Sequence, residues 1–220
     1  MMLNKAVAMQ AHFAPATQSD THEFFSSFTK GLRDSRVATH RDPDTGKPLP
    51  RAEHDSWVGA LGYLALLDQI GTSFVCKGRR DRDSTVTNPL VLALRQFTEV
   101  SDDEIAAIYA LRCAFAHDFS LFNVHPSRPE LTHCFHLFGE PDGALVTLPT
   151  SRWNGDYSHR PSECRTSIGL TLLGNMVEGI CARLPDMARS GELLIRLAGG
   201  PDELNHRYGL MKVRSRQTES

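Results

Sequence analysis

Residues 55–74 read as a helix that is apolar over most of its circumference, with Trp57, Leu61, Leu64, Leu67 and Ile70 running along it. A surface helix keeps a polar face toward water, whereas a helix with almost none has to be enclosed by neighbours. This segment therefore predicts the central helix of a bundle. Gly59 and Gly62 weaken it locally but let other helices come close, so packing accounts for them better than chemistry does.

The flanking segments supply the neighbours. Residues 21–38 form a helix with Phe24, Phe25, Phe28 and Leu32 on one face, capped by Asp20 or Thr21. Residues 39–51, with Pro43, Gly46, Pro48 and Pro50, make a loop. Asn88-Pro89 opens another helix, proline taking its favoured first position, and it runs to about residue 99. Ser101-Asp102-Asp103-Glu104 is a capping box and starts the next, with the apolar run Ile105 to Leu111. Residues 166–184 form a broad apolar helix that Pro185 closes. Residues 186–197 resume as helix or short strand, and 202–211 as a last short helix. Residues 124–163 interrupt the pattern: 131–138 and 144–148, around Pro141-Asp142-Gly143, read as a β-hairpin inserted between helices.

At 220 residues the chain fits one domain with decorations. We expect a mainly α helical bundle over 15–211 with the hairpin and loop of 124–163 inserted, and the termini 1–14 and 212–220 outside it. A net charge of −2 carries no global nucleic-acid signature, so any such contact must come from a local basic patch. The five cysteines, Cys76, Cys113, Cys134, Cys164 and Cys181, are widely spaced, as in a reduced chain with buried thiols. The first fourteen residues lack the apolar core of a signal peptide, and no stretch reaches the ~20 apolar residues of a membrane span. A soluble cytoplasmic protein that does not enter the membrane is the expectation.

The segment Leu111-Arg112-Cys113-Ala114-Phe115-Ala116-His117 carries the most chemistry. Spacing alone favours a surface arginine and a histidine at a helix end, where the dipole favours a cation. The apolar context tips the balance, because an arginine among core-type residues needs a partner or a purpose. Arginine stays charged and holds phosphate with a planar fork; neutral histidine can take or give a proton near pH 7. Cleavage of RNA by its own 2'-hydroxyl needs both, one group to move protons and one to hold the phosphate as charge develops. Five residues of helix turn ~500°, so the two side chains leave it ~140° apart, a divergence that a site shared by two chains tolerates better than a site on one.

The segment resembles the R-x(4–6)-H signature of the HEPN superfamily (higher eukaryotes and prokaryotes nucleotide-binding domains), with Arg112 and His117 at the two defining positions. Cys113 stands where that family usually has a polar residue. Residues 61–71 are also similar to an early helix of such domains. The resemblance implies a helical bundle that works as a homodimer and cuts RNA without a metal or other cofactor. It also implies a toxin–antitoxin or antiviral-defence setting, with an antitoxin or defence-complex partner. Family members without activity bind RNA, a nucleotide or a protein, which is the alternative reading.

Second-tier candidates follow from position. Asp118 and Asn123 could orient His117 or bind substrate, although both also suit a helix end and turn. Tyr109 lies three residues before Arg112 on the same helix face, or is simply core. His133, Cys134 and His136 invite a zinc reading, but strand alternation puts only Cys134 and His136 on one face, too few for a site; no metal is expected. Residues 151–165 interleave Trp153, Tyr157 and His159 with Arg152, Arg160 and Arg165, either a surface for single-stranded RNA or a loop anchored by a buried tryptophan. The charged loop of residues 76–88, with its charges from Lys77 to Asp83, reads as a solvated connector whose aspartates offset its bases, in preference to an RNA-backbone contact near the site.

Overall fold

The computed structural model describes residues 5–14, 17–18, 22–50, 56–78 and 87–213. Among them the helices are α1 (Lys5–Phe13), α2 (Ser27–Ala38), α3 (Trp57–Ser73), α4 (Pro89–Phe97), α5 (Asp102–Asp118), α6 (Leu170–Ser190) and α7 (Gly200–Tyr208). The strands are β1 (Thr17–Gln18), β2 (His22–Ser26), β3 (Phe74–Cys76), β4 (Phe122–Asn123), β5 (His133–Phe138), β6 (Val146–Thr147), β7 (Arg165–Gly169), β8 (Leu193–Ile195) and β9 (Gly209–Val213).

The expected central helix is present. α3 packs against α2, α4, α5 and α6, and Tyr63, Leu64, Leu67 and Ile70 are fully buried along it. Its glycines mark the closest approaches: a methyl on Gly62 would stand 2.3 Å from Ser35 Oγ of α2. One contiguous core joins these helices to Phe135, Val146 and Ile168 of the sheet, and to Met9 of α1, which lies in the segment expected outside the domain.

The expected mainly α bundle is corrected to a mixed α/β fold. Strands form sheets ordered β1-β2-β9, β3-β8 and β4-β5-β7-β6. In the four-stranded sheet, β5 and β6 do not pair with each other as a hairpin. β7 lies between them, parallel to β5 (Cys134↔Arg165 to Phe138↔Gly169) and antiparallel to β6. Residues 166–169, expected as the start of a helix, belong with Arg165 to β7, because alternate residues Thr166 and Ile168 face the core while Arg165 faces water.

Helix ends shift for local reasons. α2 begins at Ser27, capped by Ser26 Oγ accepting from Phe28 N at 3.1 Å, because residues 22–26 are taken by β2, which pairs with β9. The expected caps Asp20 and Thr21 lie outside the described residues, as do Arg79 to Asp83 of the charged connector. Pro185 does not end α6. Burial of Leu184 and Ala188 on either side offsets the missing donor, and the helix runs to Ser190, where Gly191 adopts the left-handed conformation. Among the described residues no helix is long and apolar enough to cross a membrane.

Candidate functional site

α5 starts as expected. Ser101 Oγ accepts from Glu104 N at 3.4 Å, and Glu104 Oε2 accepts from Ser101 N at 3.0 Å. Three acids in the first turn favour the helix dipole. Ile105, Ile108, Leu111 and Phe115 recur at helical spacing and are buried, which fixes the rotation of the helix and hence where its polar residues emerge.

Arg112 emerges at the edge of this buried face, half-buried beside α3. Its Nε donates to Asp68 Oδ2 at 2.8 Å. Burial disfavours the charge on Arg112, but the hydrogen bond and charge of Asp68 outweigh it and push the guanidinium pKa above its ordinary value. The bond uses one edge of the fork. The terminal nitrogens Nη1 and Nη2 have no partner among the described residues and remain able to hold an anion.

His117, in the last turn of α5, is exposed and has no hydrogen-bond partner among the described residues. Asp118 ends the helix, also exposed. The next residue, Phe119, is left-handed (φ 49°) although it is not glycine, and its N–H bonds Ala114 O to close the helix. This backbone places the Phe119 ring 5.5 Å from Phe115 and 5.7 Å from Trp57, and Trp57 stacks on Phe115 at 5.4 Å. An aromatic cluster thus sits within one helical turn of His117. Sequence reasoning missed it, because nothing after Asp118 signals a left-handed cap.

The remaining candidates divide. Tyr109 is half-buried on the Arg112 side of α5; burial raises its phenol, and neighbouring Cys113 adds to the effect. Asn123 is not free for substrate: its Nδ2 donates to Leu131 O at 2.6 Å and holds the turn before β5. His133 is buried, its Nε2 donating to the Glu130 carbonyl at 2.9 Å and its Nδ1 accepting from Thr166 Oγ1 at 2.8 Å. No cluster of three metal-ligating side chains occurs among the described residues.

His133 makes a pH prediction. Burial lowers its pKa below the ordinary ~6.5, so the folded state holds it neutral while the unfolded chain takes a proton. Above ~6.5 both states are neutral and the group is silent; as pH falls through that value stability is lost, down to the folded pKa. His12, buried between Ser26 and Asn205, is lowered likewise. The urea midpoint should hold above the ordinary histidine pKa of ~6.5 and drop as pH falls below it. The drop should be shallower in His133→Gln, and equal slopes would refute the assignment.

A cavity of about 460 Å³ opens elsewhere, between α2 and α6. It is lined by Phe28, Leu32, Cys181 and Pro185, with Lys30, Arg33 and Arg36 beside them. Those cations are paired with Asp34, Asp44 and Glu178 respectively, so the cavity offers no unneutralised charge. Beneath it Glu178 also accepts from Tyr63 at 2.9 Å, and the buried Arg41 donates to Thr171 O and Asn175 Oδ1. This network holds the 39–50 loop on α6; its members are scattered in sequence and carry no motif.

The chain matches no protein-family model, no curated protein and no solved structure.

Proposed function

We propose that the chain is a metal-independent endoribonuclease with a HEPN-type Arg112–His117 site. The observation that supports this best is the state of Arg112: anchored to Asp68 by Nε alone, protonated, with two nitrogens to spare, on the helix whose last turn presents an exposed His117. Arg112 and His117 leave the helix ~140° apart, so the reading includes a homodimer in which two α5 helices bring two pairs to one phosphate.

In the reaction, one His117 takes the proton of the ribose 2'-hydroxyl. The 2'-oxygen attacks phosphorus, the bond to the 5'-oxygen breaks, and the partner subunit's His117 protonates that oxygen. Arg112 stabilises the phosphorane-like transition state with its free edge. The products are a 2',3'-cyclic phosphate and a 5'-hydroxyl. DNA, lacking the 2'-hydroxyl, is not cut. Such an enzyme fits a cytoplasmic toxin or antiviral-defence role restrained by an antitoxin or defence-complex partner.

A second reading rests on Cys113. It stands where a polar positioning residue is expected and is half-buried beside Tyr109. A site without that residue is suited to binding RNA, a nucleotide or a protein without cleavage.

Incubation of the purified protein with mixed cellular RNA, with and without EDTA, separates the two. EDTA-resistant cutting that leaves cyclic-phosphate ends is expected. Retention of RNA without cutting selects the binding reading with RNA as its ligand, and neither cutting nor retention removes the nuclease and leaves a nucleotide or a protein as the bound partner.

A further inference from the structure

The outer face of the four-stranded sheet is built differently from the rest of the surface. Pairing places Phe122, Cys134 and Arg165 in one row across β4, β5 and β7. Cys134 is buried at the bottom of that row; burial raises its thiol pKa, and the charges of Arg160 and Arg165 nearby act against the rise. The 151–164 loop folds over it, pinned by the buried Trp153, whose Nε1 donates to Asp156 O at 3.1 Å and His159 O at 3.2 Å.

The pin brings aromatic and cationic groups together. Tyr157 stands 58% exposed, its ring 5.1 Å from Phe122 and 5.5 Å from Trp153. Arg160 lies over Phe122 at 5.6 Å, and Arg165 donates from Nε and Nη2 to the Arg160 carbonyl. Both arginines are exposed, and neither has a carboxylate partner among the described residues; nor does the neighbouring Arg152. Two acids share the loop: Asp156 is turned into it, accepting from Ser158 N at 2.8 Å and Ser158 Oγ at 2.7 Å, and the exposed Glu163 accepts from Ser162 Oγ at 3.4 Å and forms no ion pair with these arginines.

One exposed ring, Tyr157, edging a half-buried Phe122 and beside guanidiniums without carboxylate partners, suits a ligand with flat apolar faces and regularly spaced negative charge. Unpaired bases and their phosphates have both; a duplex hides the faces, and an acidic peptide lacks them. We propose that Tyr157, Phe122, Arg160 and Arg165 form a binding site for single-stranded RNA on the outer face of this sheet. The site lies just past α5, since only residues 119–121 separate Asp118 from β4. That it delivers the strand to His117 rests on the nuclease reading; that it binds the strand does not.

The test is fluorescence anisotropy with a labelled 2'-O-methyl RNA of roughly ten nucleotides, which cannot undergo 2'-hydroxyl attack. Tyr157→Ala and Arg160→Ala should each weaken binding about tenfold, Tyr157→Phe should bind as the parent does, and the matching duplex should bind more weakly than the single strand. Both side chains are exposed, and unchanged melting of the variants will show that the fold is intact. Binding indifferent to Tyr157→Ala and Arg160→Ala, or equal for duplex and single strand, overturns the proposal. Loss of binding on Tyr157→Ala in a protein that cuts no RNA upholds this site and removes the nuclease; RNA cutting with binding indifferent to these changes does the reverse.

Discussion

Replacing His117 with alanine is expected to slow RNA cleavage by about a hundred- to ten-thousandfold, the usual contribution of a positioned proton-transfer group, and to leave the unfolding transition in place. The second half follows from exposure: the imidazole reaches water and has no hydrogen-bond partner among the described residues, so its removal leaves nothing buried and unsatisfied. Arg112 is a different case. Alanine there would also strand the Asp68 carboxylate, 22% exposed, and mix instability with lost chemistry. Arg112→Lys is the cleaner variant, because lysine keeps a charge beside Asp68 but has no second edge for phosphate. It should fold and yet cut about a hundredfold more slowly. Initial rates on a labelled RNA, read beside thermal melts, check both. Cleavage that survives His117→Ala and Arg112→Lys together would remove this helix from the chemistry.

The Arg112–Asp68 contact shows how far the sequence could be read. The apolar run around Arg112 signals that the guanidinium needs a partner, but the segment 55–74 read as the central helix holds two acids, Asp55 and Asp68. The structure puts Asp68 against Arg112, 44 residues away, and Asp55 lies outside the described residues. The capped start of α5 was legible for a simpler reason, since the capping box is a local arrangement of four residues. The sheets were not. β4 and β6 have two residues each, too few for alternation to register, and β7 joins β5 across a long intervening loop. Pairing of that kind is decided by which apolar faces the finished core still has to cover, and no window of sequence contains that information. The aromatic cluster at Phe119 was hidden for a related reason: the left-handed cap sets its ring against Phe115 of the same helix and Trp57 of α3, and that third ring is distant in sequence.

Gly71→Ala should lower stability by roughly 4 kcal/mol or more, among the largest effects of a single methyl. Helix propensity alone argues the other way, since alanine is favoured over glycine in a helix by about 1 kcal/mol. Geometry decides against it. A methyl on Gly71 would stand 1.8 Å from the Pro89 carbonyl oxygen, 2.6 Å from its carbon and 3.1 Å from Ala93 N. These are backbone atoms of α4 that no rotamer change can move aside, so α3 and α4 must separate and leave Leu67, Ile70, Leu90 and Ala93 poorly packed. Gly179 on α6 is the control. Nothing lies within 4 Å of a methyl there, and Gly179→Ala should be neutral or stabilising by up to about 1 kcal/mol. Urea unfolding of the two variants beside the parent measures the contrast, and equal midpoints would mean that α3 and α4 are not in this contact. The helix separation also reaches the candidate site. Asp68 lies one turn before Gly71, so a displaced α3 carries the anchor away from Arg112. Under the proposed nuclease function, Gly71→Ala protein that remains folded at low temperature should therefore lose RNA cleavage as well, whereas Gly179→Ala should not.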